Sequence, residues 1–359
     1  MDRRTFLKST GAAAAAGTAA AVPARAETPA ALAVSRGARE LTLATVWPLD
    51  TPVYGDSVVR LTRRIEAATE GRCRITPVAV CDNGLAAVTR GAADLYHGSE
   101  HFHLEAEPAL AYFAALPGPF GFDAASCQAW LIAGGGQMLW DDLGADLGVK
   151  PLMAGHTGPS VGLWLKRPIS ENTAFAGLRL NVLGLAGRVL AALGGEPRAL
   201  PPSELTVALA EGRLDGAEWA GPTASLAVGL HRSAKHVVPR AFTPAGSSYT
   251  LAIRRELWEA LPSSDRAVFE ACTAEEVRIS LAEAIAHRRI AWRAAAEQHG
   301  VTLDTRRLRQ PPSFVEATAE AVAAVARSSS KARRIDASYR AFAAATRGTH
   351  RRIMADQVS

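Results

Sequence analysis

Residues 263–299, SSDRAVFEACTAEEVRISLAEAIAHRRIAWRAAAEQH, carry one uninterrupted helical pattern that ends at Gly300. At 1.5 Å per residue such a helix runs ~55 Å, longer than one small lobe is wide. It is therefore expected to brace two bodies. The chain has the material for both: 359 residues, 48% of them hydrophobic, with a nearly balanced charge count.

Ahead of that helix, strand and helix patterns alternate. ELTLATV stops at Trp47-Pro48, a helical pattern over 54–71 ends at Gly71, CRITPVAV follows, GLAAVTRG closes at Gly91, and ADLYHG is a third strand. Alternation of this kind predicts an α/β fold with a largely parallel sheet covered by helices. A helical stretch at 122–146 precedes KPLMAGHTG and VGLWLKR, strands that carry the chain into a second lobe. That lobe continues with LRLNVLG, two helices and RLDGAEWA, and SYTLAIRR leads back. The expected organisation is lobe I over 40–155 and lobe II over 156–246. Residues 247–359 then hold a return strand, the long helix and C-terminal helices filling 312–347, part of which packs back on lobe I.

The N-terminus reads as an export signal. Arg3-Arg4-Thr5-Phe6-Leu7-Lys8 is a twin-arginine signature, and Ala24-Arg25-Ala26 fits a signal-peptidase site. Residues 1–26 are thus a signal peptide and 27–39 a linker, which places the mature chain in the periplasm. Removing 1–26 takes four basic residues and one acid from a net charge of +5 and leaves +2. The sequence pI of 9.2 is then no argument for nucleic acid, because Lys and Arg are scattered among Asp and Glu. No apolar run approaches the ~20 residues that span a bilayer. Cys73, Cys81, Cys127 and Cys272 show no C-x-x-C spacing, so they are expected to be free and mostly buried.

Two segments echo each other. Gly91-Ala92-Ala93-Asp94-Leu95-Tyr96-His97 and Gly212-Arg213-Leu214-Asp215-Gly216-Ala217-Glu218 each place a helix-ending glycine, then an aspartate, before a short strand. Open α/β sheets bind ligands outside the carboxyl ends of their strands. His97 and Glu218, at matching strand ends, are therefore expected to face one cleft.

HGSEHFH at 97–103 gathers three of the nine histidines, with Glu100 among them. The residue types allow a metal site, an acid–base pair or a polar pocket. H-x-x-x-H pairs ligands only on a helix, and Gly98-Ser99 argue against one here. Of His101 and His103, one is expected in a pocket and the other on the surface. His231, His236, His287, His299 and His350 read as surface. The chain has no G-x-S-x-G elbow, H-E-x-x-H or Walker loop, so it is not expected to be an enzyme.

GGGQMLWDDL (134–143), GHTG (155–158), GLRLNVLGLAGRVLAALGGEP (177–197) and LAEGRLDGAEWAGP (209–222) carry a family likeness in order and spacing. From about Glu40 to Arg347 the chain resembles the extracytoplasmic solute receptors of TRAP transporters, most of all the branch for 2-oxo acids and lactate. The resemblance implies a two-lobe periplasmic binding protein fold of type II-like topology, no cofactor, and a membrane permease as partner. It implies a small organic acid as ligand, held through a Ca or Na ion by the Glu218 side chain and the Trp219 carbonyl. The family's carboxylate-clamping arginine falls on Asn181, and a further ion ligand, a glutamine, falls on Ser160. The aromatic stretch that lines the family's pocket falls on Ser99–His103, so His97, Glu100, His101 and Phe102 are candidates, with His156 in the corresponding turn and Trp47 and Phe102 as apolar walls. Losing the arginine leaves a second reading, a neutral or cationic metabolite held by Glu100 and Glu218. If the ligand is an acid, protonated imidazole is expected to help hold it, so that binding weakens as pH rises through the histidine range. A sensor subunit with the same lobes is a further alternative. The branch carries an extra C-terminal helix that swaps between subunits; too few apolar residues remain before Ser359 for one here, so a monomer is expected.

Overall fold

The computed structural model describes residues 37–79, 84–159, 162–169, 175–239, 241–304 and 312–356. The export signal, most of the 27–39 linker, Cys81 and Ser160 lie outside the described residues. Eleven strands are described: β1 Arg39–Thr45, β2 Cys73–Ala79, β3 Leu95–Gly98, β4 Val149–His156, β5 Gly162–Leu165, β6 Arg179–Asn181, β7 Glu196–Pro197, β8 Gly216–Glu218, β9 His236–Pro239, β10 Ser248–Arg254 and β11 Thr302–Leu303.

They form two sheets, in the orders β2-β1-β3-β10-β4 and β7-β6-β8-β5-β9-β11. Each sheet starts with three parallel strands and is then crossed by one strand running the other way. In the first sheet β10 lies antiparallel to both β3 and β4; in the second β5 lies antiparallel to both β8 and β9. The sheets are thus mixed, not largely parallel. The antiparallel strand of each is the one that has just crossed from the other lobe, and its direction is set by that crossing.

The Gly-x-x-Asp echo has a structural basis in this pairing. Asp94 Oδ2 accepts from the Thr42 amide at 3.0 Å, and Asp215 Oδ2 from the Arg179 amide at 2.9 Å. Each aspartate sits at the start of its lobe's third strand, hydrogen-bonded to the strand beside it and paired to an arginine, Arg254 or Arg179.

The long helix, Ser263–His299, has the expected bounds, and Gly300 ends it in the left-handed conformation with φ 64°. Its first half packs on the first lobe. The fully buried Glu276 accepts from Ser57 Oγ at 2.7 Å and is paired with Arg60 and Arg64 of the helix Tyr54–Ala68. Its second half stacks Trp292 on Trp164 of β5, ring centroids 5.8 Å apart. One helix therefore holds both lobes. The 122–146 stretch is two helices, Ala124–Ala133 and Gly136–Asp146, separated at Gly134-Gly135, with Gly135 at φ 80°. The C-terminal helices run Pro312–Ser328 and Ser330–Asp356, past the expected end at 347. The last folds back on its own chain: Tyr339 stacks on Phe122 at 3.9 Å and Asp336 accepts from the Tyr112 hydroxyl at 2.7 Å. Cys73, Cys127 and Cys272 are free and buried.

Candidate functional site

The two crossovers between the lobes are tied together. The Thr157 amide donates to the Ser247 carbonyl at 2.9 Å, and the Ser247 amide donates to Thr157 Oγ1 at 2.8 Å. Both residues line a cavity of about 80 Å³ between the sheets. With one water needing roughly 10–15 Å³ on this scale, that is room for about six heavy atoms.

Lobe I gives the cavity Trp47, Tyr54, Ser99, His101 and Phe102, with Tyr249 from β10. Lobe II gives Leu183, Glu218, Trp219, Ala220 and Thr243. The aromatic rings meet across the lobes: Trp47 lies 6.0 Å from Trp219 and 4.7 Å from Tyr54, and Tyr54 lies 6.1 Å from Trp219. The indole Nε1 groups of Trp47 and Trp219 are buried without a hydrogen-bond partner. An indole nitrogen only donates, and a buried donor without an acceptor is costly. Both rings stand on the cavity wall with their donors unmet by the protein.

Glu218 is the sole carboxylate on the wall, and no Lys or Arg lines it among the described residues. Its Oε1 accepts from the Phe242 amide at 2.9 Å and the Thr243 amide at 3.0 Å. Burial outweighs these bonds and pushes the carboxyl up to about 7. Two amides occupy Oε1 and the Thr243 side chain also hydrogen-bonds the carboxyl, so Oε2 is the oxygen with more capacity left for a ligand or cation.

Five of the expected residues thus come together on this wall: Trp47, His101, Phe102, Glu218 and Trp219. Four do not. Asn181 is fully buried off the cavity, its Oδ1 accepting from the Leu200 amide at 3.0 Å; it joins β6 to the next loop where a hydrogen bond to the ligand was expected. His156 Nδ1 accepts from the Gly158 amide at 3.0 Å and so shapes the crossover turn. His97 is buried behind Tyr249, ring centroids 6.1 Å apart, and the echo that paired it with Glu218 belongs to the sheets, not to the wall. Glu100 is buried beside Thr250, and burial pushes its carboxyl up to about 7. Ser160 lies outside the described residues.

The 97–103 segment is no metal site: among the described residues no three His, Cys, Asp or Glu side chains are placed to hold an ion. As expected, no helix carries the His97–His101 pair: His97 lies in β3, and Glu100–His103 form a single 3-10 turn, started by Ser99 Oγ accepting from the His101 amide at 3.4 Å. His103 is buried against Tyr96, ring centroids 5.0 Å apart, not on the surface. His231, also expected on the surface, lies 4.2 Å from the His299 ring. Burial lowers His97, His101, His103 and His156 to about 4, so the imidazoles are neutral across the ordinary range. The expected loss of imidazolium with rising pH has no group here to carry it. Sequence reasoning missed Tyr54, Thr157, Leu183, Thr243, Ser247 and Tyr249; the TG turn next to the crossover was the only signal that pointed near them.

The family model for bacterial extracellular solute-binding protein, family 7 (DctP), matches residues 43–329. The chain belongs to that family. Its fold is that of solved TRAP receptors. A TRAP transporter solute-binding protein from Bordetella bronchiseptica is 26% identical, with TM-score 0.80 over 88% of this chain and 94% of that one; it is a mixed-occupancy dimer with copurified calcium and picolinate in one site and an apo second site. A TRAP periplasmic solute-binding protein from Pseudoalteromonas atlantica, with bound sodium and pyruvate, is 22% identical, with TM-score 0.82 over 89% of this chain and 98% of that one. A monocarboxylate 2-oxoacid-binding periplasmic protein of Nostoc is 31% identical over 240 residues. That match spans 65% of each chain.

An ion held with the solute fits this wall. Hard cations take oxygen ligands. The wall offers the Glu218 carboxylate and the hydroxyls of Thr157, Thr243 and Ser247, with the Trp219 carbonyl on the next residue. A single carboxylate makes such a site weak until a ligand adds its own oxygens.

Proposed function

We propose that this chain is the periplasmic receptor of a TRAP transporter, exported by the twin-arginine route, and that it encloses one small 2-oxo or 2-hydroxy acid together with a Ca²⁺ or Na⁺ ion. It hands the acid to a membrane permease, acts as a monomer and performs no chemistry on its ligand. One observation carries the reading: among the described residues the cavity wall holds one charged side chain, the Glu218 carboxylate, and two tryptophans whose indole donors have no acceptor in the protein.

The donors call for an acceptor-rich ligand, and a carboxylate supplies one. With no Lys or Arg on the wall, the acid's charge and that of Glu218 repel each other unless a cation or a proton lies between them, because unpaired buried charge is expensive. Calcium or sodium accompanies the acid in the Bordetella and Pseudoalteromonas relatives, which favours the cation. Glu218, the Trp219 carbonyl and the acid's oxygens are the groups to hold it; Asn181 is not. The reading of a cationic metabolite between Glu100 and Glu218 loses support, since Glu100 lies off the cavity.

Denaturing the purified protein and analysing the released small molecules and metals by mass spectrometry tests this. A small carboxylic acid, recovered unchanged with one calcium or sodium ion, is expected. An amine, a sugar or a converted product contradicts it.

A further inference from the structure

Among the described residues no Lys or Arg lines the cavity, and a neutral side chain of lobe I, His101, extends from one side of it to the other lobe. His101 lines the cavity and reaches across to lobe II, where it packs on Gly184. A Cβ at Gly184 would lie 2.4 Å from His101 Nδ1 and 3.1 Å from its Cγ. Gly184 also has φ 63°, a conformation that other residues adopt at a cost. The glycine thus leaves a seat that the imidazole fills.

Gly184 opens the nine-residue helix Gly184–Ala192, whose N-cap is Leu183, and no side chain caps its first turn. His101 Nδ1 is buried at this seat and has no hydrogen-bond partner, so none of the first amides of the helix donates to it. Burial keeps the ring neutral, lowering it to about 4, so the ring carries a single proton. With Nδ1 walled in against Gly184 and no acceptor beside it, a ligand oxygen at Nε2 draws that proton to Nε2.

We propose that His101 is a specificity-determining residue of this receptor: lobe closure seats Nδ1 on the Gly184 turn and so presents Nε2–H to an oxygen of the bound acid. A neutral donor suits an acid whose charge is met by a cation at Glu218, so the inference rests on the function proposed above. It also makes Gly184 a positioning residue, acting through His101.

The test is calorimetric titration of pyruvate at pH 7.5 with calcium present, using the full mature chain. His101→Phe keeps the ring's bulk and removes the donor, and affinity is expected to fall about tenfold. His101→Gln, whose amide nitrogen reaches a similar place, is expected to stay within about threefold of wild type. Gly184→Ala should weaken binding several times more in the wild-type background than in His101→Ala, because the double-mutant cycle removes the strain common to both. Wild-type affinity in His101→Phe, or strictly additive losses in the cycle, overturns the role of His101 and leaves the proposed function standing. No binding of pyruvate, lactate or picolinate by the wild type overturns both.

Discussion

Glu218 bears the charge argument for the whole site. Its Oε1 is held by two main-chain amides while burial raises the group to about 7. Glu218→Gln keeps an acceptor for those amides but removes the charge that a cation needs. Affinity for a 2-oxo acid with calcium should fall by roughly 2–4 kcal/mol, the scale of losing one partner of a buried charged contact. The calcium dependence should vanish with it; calorimetry that finds both unchanged removes Glu218 from the site. The pH dependence follows the same group. Cation binding requires the ionised carboxylate, so acid-plus-calcium affinity should rise from pH 6 to 8, opposite in sign to an imidazolium-held ligand. Titrations at those two pH values decide between them. Glu218 and Trp219 were legible in the sequence because a motif fixes them at a strand end. The place of Asn181 was not legible: it ends the three-residue β6, where its side chain accepts from the Leu200 amide, while Leu183, past the end of the strand, reaches the cavity.

At the level of elements, the bounds of the long helix were legible from its unbroken period and Gly300. The direction of β10 and β5 was not, because an apolar run reads the same in either direction and only the crossing between lobes sets it. The break at Gly134-Gly135 was hidden for a similar reason: the apolar pattern continues on both sides of it. The long helix is joined to the helix Tyr54–Ala68 by a buried ionic cluster. Glu276 is fully buried, with Ser57, Arg60 and Arg64 around it. Arg60→Ala leaves much of that charge uncompensated and should cost about 3 kcal/mol, near the low end for breaking a buried pair because Arg64 remains. Replacing both partners, Arg60→Met with Glu276→Met, should cost less than Arg60→Ala alone. Denaturant unfolding of the three proteins checks this, and a double variant less stable than Arg60→Ala contradicts it.

For the molecule as a whole, stability against pH sums two opposed sets of buried groups. His97, His101, His103 and His156 are lowered to about 4, so between pH 6.5 and 4 the unfolded chain takes up protons that the folded chain refuses. Stability falls there as pH drops. Glu100 and Glu218 are raised to about 7, so the folded chain keeps protons that the unfolded chain releases above about 4.5, and stability falls as pH rises towards 7. Each group contributes about 1.4 kcal/mol per pH unit at most. Four histidines outweigh two carboxyls up to about pH 7, because the unfolded imidazoles are still partly protonated there; above it the carboxyls prevail. The ligand-free protein should therefore show its highest Tm near neutral pH, at about pH 7, by scanning calorimetry; a Tm highest at pH 5 or still rising at pH 9 contradicts this balance. The two-lobe plan was legible from the strand–helix order and the long helix together, whereas the cavity wall was assembled by side-chain directions that no period encodes. On the proposed function, this receptor holds a small organic acid through a cation and donors, without a clamping arginine. Calorimetric titration of pyruvate into chelator-treated protein, with and without added calcium or sodium, tests this. Tight binding with the cation and a collapse of affinity without it are expected; tight binding in the absence of both ions contradicts a cation-held acid.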